Sequence, residues 1–287
     1  MKSPPFEYHE PRTVEDAVAA LTPAGRDCSV LAGGQSLLPL LNLRRVRPDA
    51  VVDINRVAGL DGIRITADAV RIGALARLRT LERVPSLREA LPILPETAAL
   101  VAYPQIRTRS TLGGCLCQAD PAAELPALAV ALGARLHLRS AQGSRTVDAD
   151  MFFRSASVTL RDPGELLAEI EFARHRSFRF CFEEVTRGGG FPLVGLCFGV
   201  ATDGDGVVTA ARLAGAGVAD RPLRLRAAEQ ALIARTLSDD LGDVLDAASA
   251  ELAAPSDIHG TAAYRRGLVR ALLRRATARL ATGRIKG

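Results

Sequence analysis

The sequence predicts an α+β fold built from two unequal units. Three observations carry this expectation. A strand, a turn with two adjacent glycines, a short helix and a second strand follow one another between residues 28 and 54. A second glycine pair, Gly113-Gly114, sits among predicted helices. From residue 178 onward, strands come first and helices afterwards. At 287 residues the chain exceeds a typical single domain. A boundary is expected near Ala173–Ser177, where Arg174-His175-Arg176 interrupts the apolar pattern, giving units of 1–175 and 176–287.

Pro4–Tyr8 reads as an extended lead-in. Thr13 is the N-cap type, Asp16 follows three residues later, and Val14, Val18 and Leu21 recur at helical spacing. A helix over 13–22 is therefore expected, stopped by Pro23-Ala24-Gly25. Strand 28–32, the glycine pair, a helix to about Leu43 and strand 50–54 make a small βαβ unit. It lacks both GxGxxG and GxxxxGK[ST], which speaks against an ordinary dinucleotide fold and against a nucleotide triphosphatase. Strand 69–74 and helices over 76–83, 86–91 and from Pro92–Glu96 to about Ala102 follow. Tyr103–Ser110 leads into Thr111-Leu112-Gly113-Gly114, expected as a second turn.

Asp120–Pro126 opens a helix, with proline and an acid in its first turn. Glu124 there either favours the helix dipole or accepts hydrogen bonds from ribose or ribityl hydroxyls. Paired strands 134–139 and 144–148, an apolar corner at Asp150–Phe153 and a strand at Glu165–Phe172 close the first unit. The second has strands Phe178–Val185, Phe191–Ala201 and Val207–Gly215, with Arg187–Gly190 as a flexible loop tip. Helices at about 224–235, 239–252 and 260–281 end the chain. The last shows Tyr264, Leu268, Leu272, Leu273, Ala276 and Leu280 on one face, while Arg265, Arg266, Arg270, Arg274, Arg275 and Arg279 fill the rest. That basic surface is either a solvated face or a contact for an acidic partner subunit.

Strand, glycine pair and helix start leave backbone N–H groups free, and glycine admits a close approach. These suit a phosphate. The expectation is one diphosphate ligand held between residues 33–34 and 113–114. At both, glycine leaves room beside that ligand.

Composition excludes several classes. Hydrophobic residues make up 48% and charged residues 24%, which excludes gross disorder. No apolar run reaches membrane-span length, and Met1–Pro5 has no apolar signal core, so a cytoplasmic protein is expected. The net charge is +5, but arginines are scattered among acids and aromatics are only 4%, which disfavours nucleic acid as a partner. Cys28, Cys115, Cys117, Cys181 and Cys197 form no CxxC pair, so reduced thiols and no metal site on this chain are expected.

The ordered motifs resemble those of a known family. Ala32-Gly33-Gly34-Gln35-Ser36-Leu37-Leu38-Pro39, Val52-Asp53-Ile54 and Ile72-Gly73-Ala74 are similar to the FAD-binding medium subunit of the molybdenum hydroxylases, the relatives of xanthine dehydrogenase and carbon monoxide dehydrogenase. Pro104-Gln105-Ile106-Arg107, Thr111–Gly114 and Asp120–Pro126 match its second signature. Phe182–Val185 resembles the start of its C-terminal domain, and Ser256–His259 with Tyr264–Arg266 its closing helix.

The resemblance implies an FAD-binding domain of two α/β subdomains, about 1–57 and 58–175, of the vanillyl-alcohol-oxidase type. It also implies a C-terminal domain with a three-stranded antiparallel sheet and a helix bundle. By position, Leu31, Ala32, Gly33, Gly34, Gln35, Ser36 and Leu37, then Thr111, Leu112, Gly113, Gly114 and Cys115, would contact non-covalent FAD. Glu124 would hydrogen-bond and Leu167 would lie against the ring systems. Three positions depart from the family pattern. Cys115 stands where Asn, Ser or Asp is common, Glu184 where many members have Lys, and Gly188-Gly189-Gly190 lacks the acid that usually precedes the aromatic equivalent to Phe191.

The function so implied is that of a flavoprotein subunit. Electrons would pass from [2Fe-2S] clusters on a small partner subunit through FAD to an external acceptor, after substrate oxidation on a large molybdopterin-binding subunit. A dimer of heterotrimers is expected. No catalytic acid–base side chain is expected here, and His137, His175 and His259 are read as structural. Two alternatives are a self-contained FAD oxidase or reductase and a non-enzymatic assembly module without FAD.

Overall fold

The computed structural model describes residues 2–22, 25–188 and 191–282, with the backbone alone at Phe191. The stop at Pro23-Ala24 and the loop tip at Gly189-Gly190 lie outside the described residues.

The first layer is a three-stranded parallel sheet. Its elements are β1 (Glu7–His9), α1 (Val14–Leu21), β2 (Cys28–Leu31), α2 (Leu37–Asn42) and β3 (Ala50–Asp53). β3 is central, with Val52 opposite both Val30 and His9. Thr13 caps α1 by accepting the Asp16 N–H at 3.1 Å, as its spacing predicts. Ala17, Val18 and Leu21 bury the inner face of that helix against Val52 and Ile54.

The second layer follows as β4 (Ile63–Ile65), β5 (Ala69–Gly73), α3 (Leu78–Arg83), α4 (Pro85–Ala90), α5 (Ile93–Leu100), α6 (Pro104–Arg107), α7 (Leu112–Gln118) and α8 (Glu124–Leu132). It continues as β6 (Arg135–Ser140), β7 (Gly143–Asp148), α9 (Ala149–Phe152), β8 (Phe153–Ser155), β9 (Val158–Thr159) and β10 (Leu166–Ala173). β10 runs antiparallel between β5 and β6 in a five-stranded sheet ordered β4-β5-β10-β6-β7. Gly113-Gly114, expected as a turn, instead forms the first turn of α7, because the Thr111 hydroxyl caps the helix by accepting the Gly114 N–H at 3.0 Å.

The last layer consists of β11 (Phe178–Arg187), β12 (Phe191–Thr202), β13 (Val208–Ala216), β14 (Leu223–Arg224), α10 (Arg226–Leu232), α11 (Gly242–Ala250) and α12 (Ala262–Ala281). Its antiparallel sheet has four strands rather than three. The additional strand, β14, is two residues long and too short to carry an alternating pattern. One face of this sheet packs on α10–α12. The other contributes Phe182, Cys197, Ala214 and Ala216 to the core around α8, every residue of which is buried. The core is therefore continuous across the linker, where His175 donates from Nε2 to the Leu132 carbonyl at 2.8 Å and packs edge-on against Phe178 and Phe180.

The closing helix corrects the expected basic face. Tyr264 is exposed, and Arg265 takes the buried position at the helix start. The Arg265 guanidinium donates to the carbonyls of Leu193 (2.6 Å) and Gly217 (3.1 Å) and to Asp257 (2.7 Å). Arg275 and Arg279 pair with Glu183, Arg279 also reaches Glu96, and Arg270 meets Asp246. Four of the six arginines are thus engaged within the chain.

Arg265→Ala would orphan two buried carbonyls. A loss of about 3 kcal/mol is expected, read as a lower denaturant midpoint with an unchanged slope.

Candidate functional site

A cleft of about 550 Å³ opens between the first and second layers, within the size range of small-molecule sites. Ala32, Gly33, Gly34, Gln35, Ser36, Leu37, Thr111, Gly113, Gly114, Cys115, Glu124 and Leu167 all line it. Leu31 and Leu112 do not. Leu31 stands in β2 behind the turn, and Leu112 is packed into the core.

The two glycine pairs differ in what they offer. At the first, Gly34 has φ +75°, a left-handed conformation that favours glycine. Among the described residues, no protein acceptor takes the backbone N–H of Gly33, Gly34, Gln35, Ser36 or Leu37, and Ser36 makes no side-chain cap. At the second, the Leu112 and Gly113 N–H groups donate to the carbonyls of Ala76 and Ala74, and the Gly114 and Cys115 N–H groups to Thr111. Open donors for an anion therefore concentrate on the first turn, and the second pair serves close packing.

The need for glycine also has a different origin from the one expected. A β-carbon at Gly33 would lie 2.3 Å from the Arg109 carbonyl oxygen. One at Gly113 would lie 2.5 Å from Cβ of Ala74. One at Gly114 would lie 2.7 Å from the Thr111 hydroxyl oxygen. At Gly33, the room beside the turn is filled by the segment leading into α7.

A polar network fixes that contact. Asn55, two residues beyond the end of β3, donates to the Ala32 carbonyl at 2.7 Å and to Asp53 at 2.6 Å. Its amide oxygen accepts from Arg77 at 2.6 Å, and Arg77 also donates to the Arg109 carbonyl. Tyr8 donates to Asp53 at 2.7 Å. Arg107, itself buried, donates to the carbonyls of Val101 and Ala102 at 3.0 Å each and to Glu82 at 3.1 Å, shaping the chain before α7. Asn55 and Arg77 escape sequence reasoning because their partners lie far along the chain. The only signal is an Asn at the carboxyl end of a parallel strand, where open α/β sheets place ligands.

The cleft walls carry the acids Asp27, Asp120, Glu124 and Glu165, with Arg161 as the cation among the described lining residues. Glu165 is neutralised by Arg145 at 2.6 Å. Glu124 is buried in the first turn of α8, and its Oε1 has no hydrogen-bond partner. Burial pushes its carboxyl up to about 7. Its own backbone N–H opposes the shift, and the charges of Glu184 and Asp120 add to it. Burial and the Glu124 charge hold the Cys115 thiol up at about 12, so no reactive thiolate faces the cleft. Among the described residues no cluster of His, Cys, Asp or Glu is arranged to hold a metal, and no helix is long and apolar enough to cross a membrane.

A split α+β scaffold with open amide donors at a strand-to-helix turn and a buried acceptor in the same cleft has the features that suit an extended, phosphorylated ligand. Two family models specify it further. One, for the FAD binding domain in molybdopterin dehydrogenase, matches residues 4–173. The other, for the CO dehydrogenase flavoprotein C-terminal domain, matches residues 181–280. The chain is 39% identical over 282 residues to the 6-hydroxypseudooxynicotine dehydrogenase complex subunit alpha of Paenarthrobacter nicotinovorans, covering 97% of this chain and 95% of that one. It is 35% identical over 278 residues to the carbon monoxide dehydrogenase medium chain of Hydrogenophaga pseudoflava, covering 96% and 97%. A chain in the structure of a Cu,Mo-CO dehydrogenase superposes with a TM-score of 0.94 at 34% identity, covering 98% of this chain and 99% of that one. The protein belongs to the FAD-binding medium subunits of the molybdenum hydroxylases.

Arg77→Ala or Asn55→Ala would free the two segments from each other without altering the cleft lining. FAD affinity is expected to fall about tenfold, the equivalent of one or two lost hydrogen bonds, measured by flavin fluorescence titration. Gly33→Val, which drives a side chain into the Arg109 carbonyl, is expected to abolish FAD retention.

Proposed function

We propose that the chain is the flavoprotein subunit of a molybdenum hydroxylase and that its FAD lies in the cleft between residues 31–37 and 111–115. The observation that carries the site assignment is that one cleft is lined both by Gly33 to Leu37, whose backbone N–H groups have no protein acceptor among the described residues, and by Glu124, whose buried Oε1 is unpartnered.

The residues fit the cofactor. The open amides and the Thr111 hydroxyl hold the diphosphate. Glu124 accepts from a sugar or ribityl hydroxyl, which completes its hydrogen bonding. Leu167 on β10 and Pro192 on β12 offer apolar surface to the ring systems, so both halves of the chain enclose the ligand. Bound FAD supplies the ability to take electrons singly from iron–sulfur clusters and to pass them on in pairs. The chain's own task is to bind, orient and shield. The neutral Cys115 thiol and the lack of a histidine among the described residues lining the cleft support non-covalent binding.

The relatives' designations as medium chain and as subunit of a dehydrogenase complex support partners of the same kind here. They are a large molybdopterin-binding subunit and a small subunit with [2Fe-2S] clusters, joined as a dimer of heterotrimers in the cytoplasm. The working division is an FAD-binding unit of 1–175, with subdomains 1–57 and 58–175, and a C-terminal unit of 176–287.

Co-expression with its neighbouring large and small chains is expected to yield a complex holding one FAD per copy of this chain, and acid precipitation should leave the flavin in the supernatant. Flavin carried into the pellet would point to covalent attachment. A complex that neither contains nor binds flavin would defeat the reading.

A further inference from the structure

Arg174-His175-Arg176, the charged run that breaks the apolar pattern between the two units, is only partly used by the fold. His175 is tied to the end of α8. The two arginines beside it line a second cavity, of about 390 Å³. It shares no lining residue with the cleft between the first and second layers. Its volume is within the range of small-molecule sites.

Three parts of the chain build this cavity. The α4–α5 corner forms one wall, the linker and the start of β11 a second, and the end of α12 a third. Small ligands are commonly held at such junctions between structural units. Leu91, Ile93 and Leu280 are buried in its walls. Phe178 and Phe180 are half-buried there and stack with ring centroids 5.4 Å apart. These five side chains give the cavity an apolar lining that can take a hydrocarbon body out of water.

The charged groups of the lining are out of balance. Arg279 is committed, pairing with Glu96 and Glu183 at 3.2 Å each. Arg174, Arg176 and Arg179 pair with no carboxylate among the described residues. Each instead donates to a backbone carbonyl: Arg174 to Thr66 at 3.2 Å, Arg176 to Ala67 at 2.8 Å and Arg179 to Leu280 at 2.6 Å. A guanidinium carries five N–H donors. The carbonyl contacts therefore orient these side chains and leave most of their donors unused. The Arg174 Nε is buried and has no partner at all. Beyond Glu96, the lining offers one acid, Glu89, which is exposed and bonded to no cation among the described residues. Three cations against one acid leave an excess of two positive charges.

An apolar lining beside under-used guanidiniums selects for two features in one ligand. A small inorganic anion would leave the apolar lining uncovered. A neutral hydrocarbon would leave the cations without a counter-charge. A carboxylate matches the planar fork of a guanidinium and strengthens its hydrogen bonds. We propose that this cavity binds an organic carboxylate with a compact apolar body, its carboxylate facing the guanidiniums of the linker and of β11. The ligand touches α5, the linker and α12 together, so its binding fastens the junction between the two units. The proposal stands independently of what fills the cleft between residues 31–37 and 111–115.

The test titrates the full chain, with its flavin in place, by calorimetry at low salt. Three probes are compared: 2-naphthoate, its neutral counterpart 2-naphthalenemethanol, and acetate, which has the charge without the apolar body. One molecule of 2-naphthoate is expected to bind per chain, with Kd on the order of 100 μM. The neutral probe and acetate should each bind at least about tenfold more weakly. Arg174→Gln combined with Arg176→Gln should weaken 2-naphthoate about tenfold or more, with flavin content unchanged. Ala90→Phe, which fills the cavity from α4 and removes no charge, provides the second variant and should abolish binding. Equal affinity for the neutral probe, unchanged affinity in both variants, or no binding of 2-naphthoate to wild type overturns the proposal.

Discussion

The carbonyl oxygen of Arg109 occupies the space that a side chain at position 33 would need. On this contact the geometry of the cleft depends. It sets the strand-to-helix turn of the first layer against the chain entering α7 in the second. The contact is pinned from three directions. Asn55 holds the Ala32 carbonyl, Arg77 bridges Asn55 to the Arg109 carbonyl, and Arg107 shapes the segment just upstream. Backbone meets backbone there, so the fit tolerates little change. A side chain could repack around an intruding methyl group, but a carbonyl held by a guanidinium has nowhere to go.

The same economy appears in α8. Its first residue, Glu124, carries the unpartnered oxygen at the cleft, and the remaining eight residues are packed on all sides. A helix buried all round cannot shift to suit a ligand without disturbing both the five-stranded sheet and the C-terminal sheet. The buried carboxyl is thus held rigidly, and its poor solvation is tolerated because the surrounding core is continuous.

Much of this architecture was legible in the chain. The βαβ unit at 28–54 announced itself through β-compatible runs around paired glycines, and the Thr13 cap through its spacing. The three-residue β4 was invisible, and β1 showed only as an extended lead-in, because three residues hold no period. Gly113-Gly114 read as a turn because glycine is a poor helix former. The Thr111 cap and the packing of Gly113 on Ala74 override that preference. The site was legible as a list and not as a mechanism. That both glycine pairs line one cleft could be expected from the family pattern. That only the first leaves its amides open could not, since Ala74 and Ala76, which accept from Gly113 and Leu112, lie more than 30 residues upstream, although Thr111, which takes the next two amides, is local. The arginines of α12 failed for the same reason: Glu96 and Glu183 are distant in sequence, so a helix wheel shows only unpaired charge.

The pairing of β5 with β10 sets a schedule for the chain's birth. Val70 meets Phe172 and Ile72 meets Ile170, so the central sheet cannot close until residue 173 has been made. Pro192 of β12 must also be in place before the cleft wall is whole. Until then the apolar α8 and the inner strands have no complete surface to cover them, and such long-range closure is slow. The nascent protein must therefore emerge past residue 192 of its 287 before its cofactor pocket is whole, which makes flavin loading a late event in the life of the growing chain.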